Sequence, residues 1–237
     1  MLIESRYCGP RSSGNGGYVA GLFAQKVTDS GPVSVMLRQP PPLETPLSVL
    51  RDGDGVLRLM DGSTLIAEAA IGPAYDGALP APISVAEARE AETRYGGLSD
   101  HPFPWCCSCG TNNPDGLHLK PGSTGQRFGV ADLVATVWTP RPDQTGPEFA
   151  WVALDCPGAW AAELGPGRPS VLGRITAQVT GEIHAGEDYV VLGWKTGESG
   201  RKSFVNTALY GPDSSVIAVA SATWISVDPS ALASLNS

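Results

Sequence analysis

Hydrophobic positions along this chain form two helix-like runs, each followed by strand patterns. The first run, residues 18–26, is apolar almost all round, as in a helix that is buried on most sides. The second run, residues 149–164, is long enough for roughly three to four helical turns and is interrupted by Asp155. Residues 171–184 alternate strictly between apolar and polar, which is typical of a half-buried strand. The pattern therefore predicts a helix followed by antiparallel strands, occurring twice.

The remaining strands are predicted from shorter alternating segments bounded by glycine, proline and aspartate. Two stretches support an internal repeat: residues 61–69 read DGSTLIAEA, and residues 212–220 read PDSSVIAVA. The first half is expected to have strands at 33–38, 47–50, 57–60 and 63–70 with turns at 52–55 and 61–62, and the second half strands at 116–120, 130–139, 171–184, 189–195, 203–210 and 215–226.

A charged segment separates the two halves. Ser84-Val-Ala-Glu87 is a capping-box pattern that predicts a helix from there to about Tyr95, with its charges in solvent. The chain is accordingly divided into a first repeat at 1–79, a connector with a short helix at 80–104, and a second repeat at 105–237.

Three places in this plan resemble hotdog-fold acyl-CoA thioesterases. Residues 14–21, GNGGYVAG, are similar to the Gly-Gly entry into the central helix of those enzymes. Residues 106–119, CCSCGTNNPDGLHL, are similar to the Cys-x-x-Cys-Gly-x-x-Asn-Pro-x-Gly-Leu stretch that opens many single hotdog domains. Asp155 falls where such thioesterases place their helix carboxylate. The resemblance implies an α+β double hotdog, in which two antiparallel sheets each wrap a central helix.

The same resemblance implies a thioesterase-like protein that hydrolyses or binds an acyl-CoA at the interface of the two repeats. A carboxylate among apolar residues is costly unless it is solvated, paired or used, and Asp155 is expected to serve as catalytic base or nucleophile. Gly16 and Gly17 allow the acyl group to approach N–H groups at a helix start, next to Asn15. No cofactor is expected.

The chain also departs from the thioesterase pattern. Asn15 stands where single-domain enzymes often have a histidine, and Leu172 and Trp224 stand where the type-II class has a threonine and a glutamine. Thr176 and Gln178 are the nearby polar candidates for substrate binding. The alternative to a thioesterase is therefore a non-catalytic acyl- or acyl-CoA-binding hotdog protein. A third interpretation is a structural or assembly module that binds no ligand. A dehydratase would need a histidine at the helix, which this chain lacks.

Both site features also have purely structural interpretations. Residues 14–17 can be a tight turn in which Asn15 is an ordinary helix cap. Asp155 can likewise be a cap, because Pro157 favours the start of a new helix close to it.

The chain has five cysteines, an odd number that cannot all be paired in disulfide bonds, so reduced thiols are expected. Cys106-x-x-Cys109 has the spacing of metal ligands, with His101 or His118 as candidate additional ligands, but a second cysteine pair is absent. Cys156, beside Asp155, is a candidate nucleophile, but no histidine is near it in sequence, and it is interpreted as buried packing. No metal is assigned to the predicted site.

Composition excludes several classes of function. A formal charge of −8 and a pI near 4.8 argue against nucleic acid and acidic lipid surfaces as partners. No stretch is apolar enough to span a membrane, and the first residues do not resemble a signal peptide. The expected protein is cytoplasmic and able to form a homo-oligomer. Phosphate-binding, dinucleotide, serine-hydrolase and metalloprotease motifs are absent.

Overall fold

The computed structural model describes residues 1–53 and 55–236, so Asp54 in the predicted 52–55 turn and Ser237 lie outside the described residues. The fold is α+β, with one large antiparallel sheet and few helices. Its helices are α1 (Gly16–Ala24), α2 (Val85–Glu92), α3 (Pro147–Ala161) and α4 (Leu232–Leu235), and its strands are β1 (Val33–Leu37), β2 (Ser48–Arg51), β3 (Leu57–Asp61), β4 (Thr64–Ile71), β5 (Gly122–Phe128), β6 (Ala131–Trp138), β7 (Ser170–Val179), β8 (Tyr189–Ser199), β9 (Lys202–Tyr210) and β10 (Val216–Ser226).

The strands form a single sheet in the order β2-β3-β4-β1-β7-β10-β9-β8-β6-β5. The prediction of two separate sheets is wrong, because β1 pairs with β7 in antiparallel register from Val33↔Ala177 to Met36↔Arg174. The other edge of β1 pairs with β4, so its backbone groups are satisfied on both sides. The first half of the chain therefore continues the sheet of the second half.

The sheet places the two similar segments at matching positions. β4, which holds most of residues 61–69, lies beside β1, and β10, which holds the end of residues 212–220, lies beside β7. Ala69 pairs with Val35 of β1, and Ala220 pairs with Ala177 of β7. The internal similarity thus corresponds to the strands that flank the central β1–β7 pair.

Helices α1 and α3 pack against each other and against the sheet. α1 contacts β1, β4 and β7, whereas α3 contacts β6 to β10. Both helices bury nearly all of their residues, with Phe23 of α1 and Leu154 of α3 completely enclosed. Their all-round hydrophobicity is explained by this position, since a helix covered on most sides has no polar face.

Helix α2 packs against β5, β6 and β8 rather than standing free in solvent. Ala88 and Ala91 are fully buried there in a second core that includes Leu192 and Trp194 of β8. The predicted capping box is present, with Ser84 and Glu87 bonded reciprocally. The Glu92 carboxylate accepts hydrogen bonds from Thr136 Oγ1 at 2.9 Å and from the Val137 N–H at 2.8 Å, which fixes the end of α2 to β6.

Two predicted strands differ from the structure. Residues 116–120 are not a strand, because His118 has a φ of +54° and breaks the extended backbone. The strand predicted at 171–184 ends at Val179, after which the N–H groups of Thr180 and Gly181 both donate to the Ile217 carbonyl. None of the described helices has the length and hydropathy needed to cross a bilayer.

Candidate active site between helices α1 and α3

Asn15 caps helix α1 and reaches helix α3 with the same side chain. Its Oδ1 accepts a hydrogen bond from the Tyr18 N–H at 2.8 Å, as an N-cap does. Its Nδ2 donates to Asp155 Oδ2 at 2.9 Å. The cap predicted for Asn15 is therefore real, and it also orients the carboxylate of the opposite helix.

The two glycines that follow allow α1 to approach its neighbours closely. The Gly17 N–H donates to Asp155 Oδ2 at 3.1 Å. A Cβ at Gly17 would lie 2.6 Å from Asp155 Cβ, and one at Gly16 would lie 2.8 Å from Leu172 Cδ2. Any larger residue at either position would push the helix away from the carboxylate or from β7.

Asp155 lies inside a continuous helix. α3 begins at Pro147 and runs without a break through Asp155 and Pro157. The interpretation of Asp155 as a cap on a helix restarted at Pro157 is therefore wrong. The carboxylate instead accepts an N–H from the N-terminus of α1, where a helix leaves amide groups without partners and where its dipole favours negative charge.

The Asp155 carboxylate is almost completely buried and only half satisfied. It is 1% exposed, and its Oδ1 has no hydrogen-bond partner among the described residues. Burial, and secondarily the nearby Cys106 sulfur, raises the pKa of Asp155 to about 7, against the opposing hydrogen bonds from Gly17 and Asn15. A carboxyl group of this kind can exchange a proton with a bound molecule near neutral pH.

A cavity of about 220 Å³ adjoins this carboxylate. Asn15, Gly16 and Asp155 line it, together with Leu172 and Trp224, which are cross-strand partners on β7 and β10. Leu172 and Trp224 therefore form part of the apolar wall of this cavity. The Trp224 indole Nε1–H has no acceptor among the described residues. The cavity is mainly apolar, and its polar lining residues include Arg38, Gln39 and Ser170 besides Asn15 and Asp155.

Three cysteine thiols also border the cavity: Cys106, Cys109 and Cys156. Their sulfur atoms lie within 4.8 Å of one another, and all three side chains are buried. Hydrogen bonds from Cys109 and Cys156 hold the pKa of the Cys106 thiol well below its usual range, with smaller contributions from the main-chain N–H groups of Cys109 and Ser108. The sequence analysis interpreted Cys156 as buried packing, and it is buried, but its grouping with Cys106 and Cys109 was not predicted.

Thr176 and Gln178 are not brought together with Asp155. They line a second cavity of about 280 Å³ together with Tyr75 and Asn206. The Thr176 hydroxyl donates to Ser34 Oγ at 3.0 Å, on the neighbouring strand β1. The alternation of side chains along β7 explains the placement of Thr176 and Gln178. Ile175 and Ala177 point into the core, so their neighbours on the strand point to the other face of the sheet.

No protein-family model matches the sequence. No curated protein matches it either. Solved structures match over nearly the whole chain. The tesB protein of Mycobacterium avium subspecies paratuberculosis is 13% identical, with a TM-score of 0.57 and coverage of 92% of this chain and 89% of its own. The acyl-CoA thioesterase II TesB2 of Mycobacterium marinum is 10% identical, with a TM-score of 0.56 and coverage of 97% and 92%.

A third structure, a conserved protein with a hot dog fold from Alicyclobacillus acidocaldarius, is 11% identical, with a TM-score of 0.60 and coverage of 96% and 92%. Identities this low describe the fold alone. The predicted likeness to hotdog-fold thioesterases is confirmed at that level, and it extends over more than nine-tenths of the chain.

Proposed function

We propose that this protein is a tandem hotdog protein that binds an acyl thioester in the cavity between α1 and α3 and hydrolyses it with Asp155. The observation that carries the proposal is the Asp155 carboxylate itself. One of its oxygens is held by Asn15 and Gly17, and the other has no partner within the described part of the chain, at the wall of a mainly apolar cavity. Buried polar atoms are normally satisfied, so a free carboxylate oxygen in a cavity is the mark of a group that acts on a ligand.

Hydrolysis needs a base and a site for the developing oxyanion. Asp155 would take a proton from water, and the oxygen would add to the thioester carbonyl carbon. Gly16 lines the cavity at the first turn of α1, where N–H groups lack intrahelical acceptors and would donate to the oxyanion. Collapse of the intermediate would break the carbon–sulfur bond, and the proton held by Asp155 would pass to the leaving thiolate.

The substrate class follows from the shape of the cavity and from its relatives in fold. A cavity of about 220 Å³ is smaller than the roughly 300–1,000 Å³ that enclose drug-sized ligands, so it suits an acyl group whose thiol carrier stays outside. Acyl-CoA is the leading candidate, because two of the structures with the same fold are described as a tesB protein and an acyl-CoA thioesterase II.

A second function is favoured by one specific observation. Leu172 and Trp224 both line the cavity and neither has a hydrogen bond to Asp155 among the described residues; the resemblance to type-II thioesterases implies a threonine and a glutamine at these two positions. Without such partners the chain would act as a non-catalytic acyl- or acyl-CoA-binding protein. The same cavity and the same apolar walls would serve that role.

The test is hydrolysis of a panel of acyl-CoAs of increasing chain length by wild type and by Asp155→Asn. We expect kcat/KM to fall by about 10²–10⁴-fold in the variant, the usual contribution of a general base. Gln178→Ala, in the second cavity, is the matched control and should retain wild-type turnover.

Turnover that survives Asp155→Asn would remove Asp155 as the catalytic group. If the wild type hydrolyses no acyl-CoA but its melting temperature rises with one, the binding function is the correct one. If neither hydrolysis nor a shift is found across the panel, both functions are wrong.

A further inference from the structure

We propose that Cys106, Cys109 and Cys156 form a site for one thiophilic metal ion, of which Zn²⁺ is the best fit, in the wall of the cavity. The site is independent of acyl-CoA hydrolysis, because it rests on the three thiols and on no property of Asp155. Sequence reasoning assigned no metal here because Cys106-x-x-Cys109 had no visible partner, and the fold supplies Cys156 as that partner.

The spacing of the sulfur atoms suits a tetrahedral ion. A Zn–S bond is about 2.3 Å long, so two thiolates on one tetrahedral ion lie about 3.8 Å apart. The Cys106 and Cys156 sulfur atoms are 3.6 Å apart, and all three lie within 4.8 Å of one another. Small side-chain movements would therefore bring the three sulfurs to bonding distance around a common centre.

A side-chain donor already faces the sulfur of Cys106. Asn15 Nδ2 donates a hydrogen bond to Cys106 Sγ at 3.6 Å. Donors of this kind orient a metal-bound thiolate and offset its charge. Gly110 closes the turn with an N–H bond to the Cys106 carbonyl at 2.8 Å, where an added Cβ would lie 2.5 Å from the Cys106 nitrogen.

The histidines considered from the sequence do not belong to this site. His101 uses both ring nitrogens elsewhere, with Nδ1 accepting from the Phe103 N–H at 2.9 Å and Nε2 paired with the Cys109 carbonyl at 3.1 Å. His118 is exposed. Within residues 1–53 and 55–236, no further histidine, cysteine or carboxylate atom completes the group.

Three protein thiolates leave one position of a tetrahedral ion for a small ligand. All three cysteines border the cavity, so water or another small ligand can reach that position from it. The ion would also tie the loop that carries Cys106 and Cys109 to helix α3. Three soft sulfur ligands select Zn²⁺ over Mg²⁺ or Ca²⁺, which prefer oxygen.

The experiment uses the full-length untagged protein, purified anaerobically with a reductant, with its five cysteines confirmed as free thiols by titration in denaturant. Metal content is measured by mass spectrometry, and Zn²⁺ affinity by competition with a chromophoric chelator. We expect about one Zn²⁺ per chain. Replacement by Co²⁺ should give thiolate-to-cobalt charge-transfer absorption, which reports the ligands directly in the wild type.

Cys156→Ser should weaken Zn²⁺ binding by more than the roughly 10–100-fold that loss of an outer-shell partner costs. Cys107→Ser is the matched control, since Cys107 is equally buried beside Cys106 but outside the cluster, and it should retain the ion.

Three results would overturn the proposal: reduced wild type that takes up no stoichiometric Zn²⁺, Co²⁺-loaded protein without the charge-transfer band, or equal loss of affinity in Cys107→Ser and Cys156→Ser. If Cys156→Ser fails to fold, the Co²⁺ spectrum of the wild type still decides. None of these measurements depends on acyl-CoA hydrolysis. The proposed metal site and the proposed thioesterase function can therefore be disproved independently of each other.

Discussion

The amide nitrogen of Gly17 lies 3.1 Å from Asp155 Oδ2, and the two residues belong to different helices separated by 138 positions in the chain. This contact exists because position 17 has no side chain: a Cβ there would lie 2.6 Å from Asp155 Cβ and 2.7 Å from the Trp151 carbonyl oxygen. The hydrogen bond between Gly17 and Asp155 therefore requires close packing of α1 against α3. The stability of the protein should depend on the same packing.

Gly17→Ala should force α1 and α3 apart. Overpacking of a filled interface costs about 1–3 kcal/mol, and the obstruction here includes backbone, so the upper part of that range is expected. The measurement is thermal unfolding, where each kcal/mol corresponds to roughly 2–4 °C for a chain of this size. Gly167→Ala is the control, because nothing lies within 4 Å of its added Cβ. Equal stability of the two variants would contradict the close packing of the helices.

Asp155→Asn should leave the protein at least as stable as the wild type. The substitution removes a buried charge while its side-chain oxygen can still accept from Asn15 and Gly17. Asp155→Ala, by contrast, leaves both donors unpaired and should lower the free energy of unfolding by about 1–3 kcal/mol. Denaturant unfolding of both variants is the measurement. A marked loss of stability in Asp155→Asn would mean that the charge itself holds the helices together.

Leu172→Ala should enlarge the cavity and shift any acyl-CoA preference towards longer or bulkier acyl groups. Leu172 lines the cavity and packs closely against Gly16, and its truncation should also cost about 2–5 kcal/mol of stability. Leu133→Ala is the control, since Leu133 lies in the second core under α2 and away from the cavity. The preference, measured by ligand-induced melting shifts or by turnover, should change in the first variant only.

Glu92→Ala should loosen α2 from the sheet. Its carboxylate accepts from Thr136 Oγ1 and from the Val137 N–H, and its side chain is only 14% exposed. Loss of the acceptor should cost about 1–3 kcal/mol. Glu90→Ala on the same helix removes only an exposed pair with Arg94 and should cost less than about 0.5 kcal/mol. Similar losses in both variants would argue against this anchoring of α2.

Local periodicity was sufficient to predict most elements of this chain from its sequence. Both buried helices and the strands after them follow from apolar patterns and turn residues, and Ser84 and Glu87 form the capping box that their spacing predicts. The strand predicted at residues 116–120 was wrong, because the backbone of His118 adopts a left-handed conformation that a pattern of apolar residues does not reveal. The pairing of β1 with β7 also escaped prediction, since strand neighbours far apart in the chain leave no local signal.

The candidate site was predictable in part for the same reason. Asn15, Gly16 and Gly17 were identified from the resemblance to hotdog thioesterases, and Asp155 also because a carboxylate is unusual in an apolar run; the structure brings the four residues together. Thr176 and Gln178 were chosen by sequence proximity alone, and the alternation of β7 turns them to the opposite face. The grouping of Cys156 with Cys106 and Cys109 was not predicted, because those partners lie about 50 residues away in a loop without regular structure.

The pairing of β1 with β7 has an evolutionary consequence. Two identical subunits joined across such a strand pair would present every functional group twice, related by symmetry, and a substitution would alter both copies at once. Here both strands belong to one chain, so the amide of Gly17 and the carboxylate of Asp155 are each encoded once, on opposite sides of the junction. Each side can therefore mutate without changing the other, which leaves the cavity at Asp155 free to become asymmetric and to specialise.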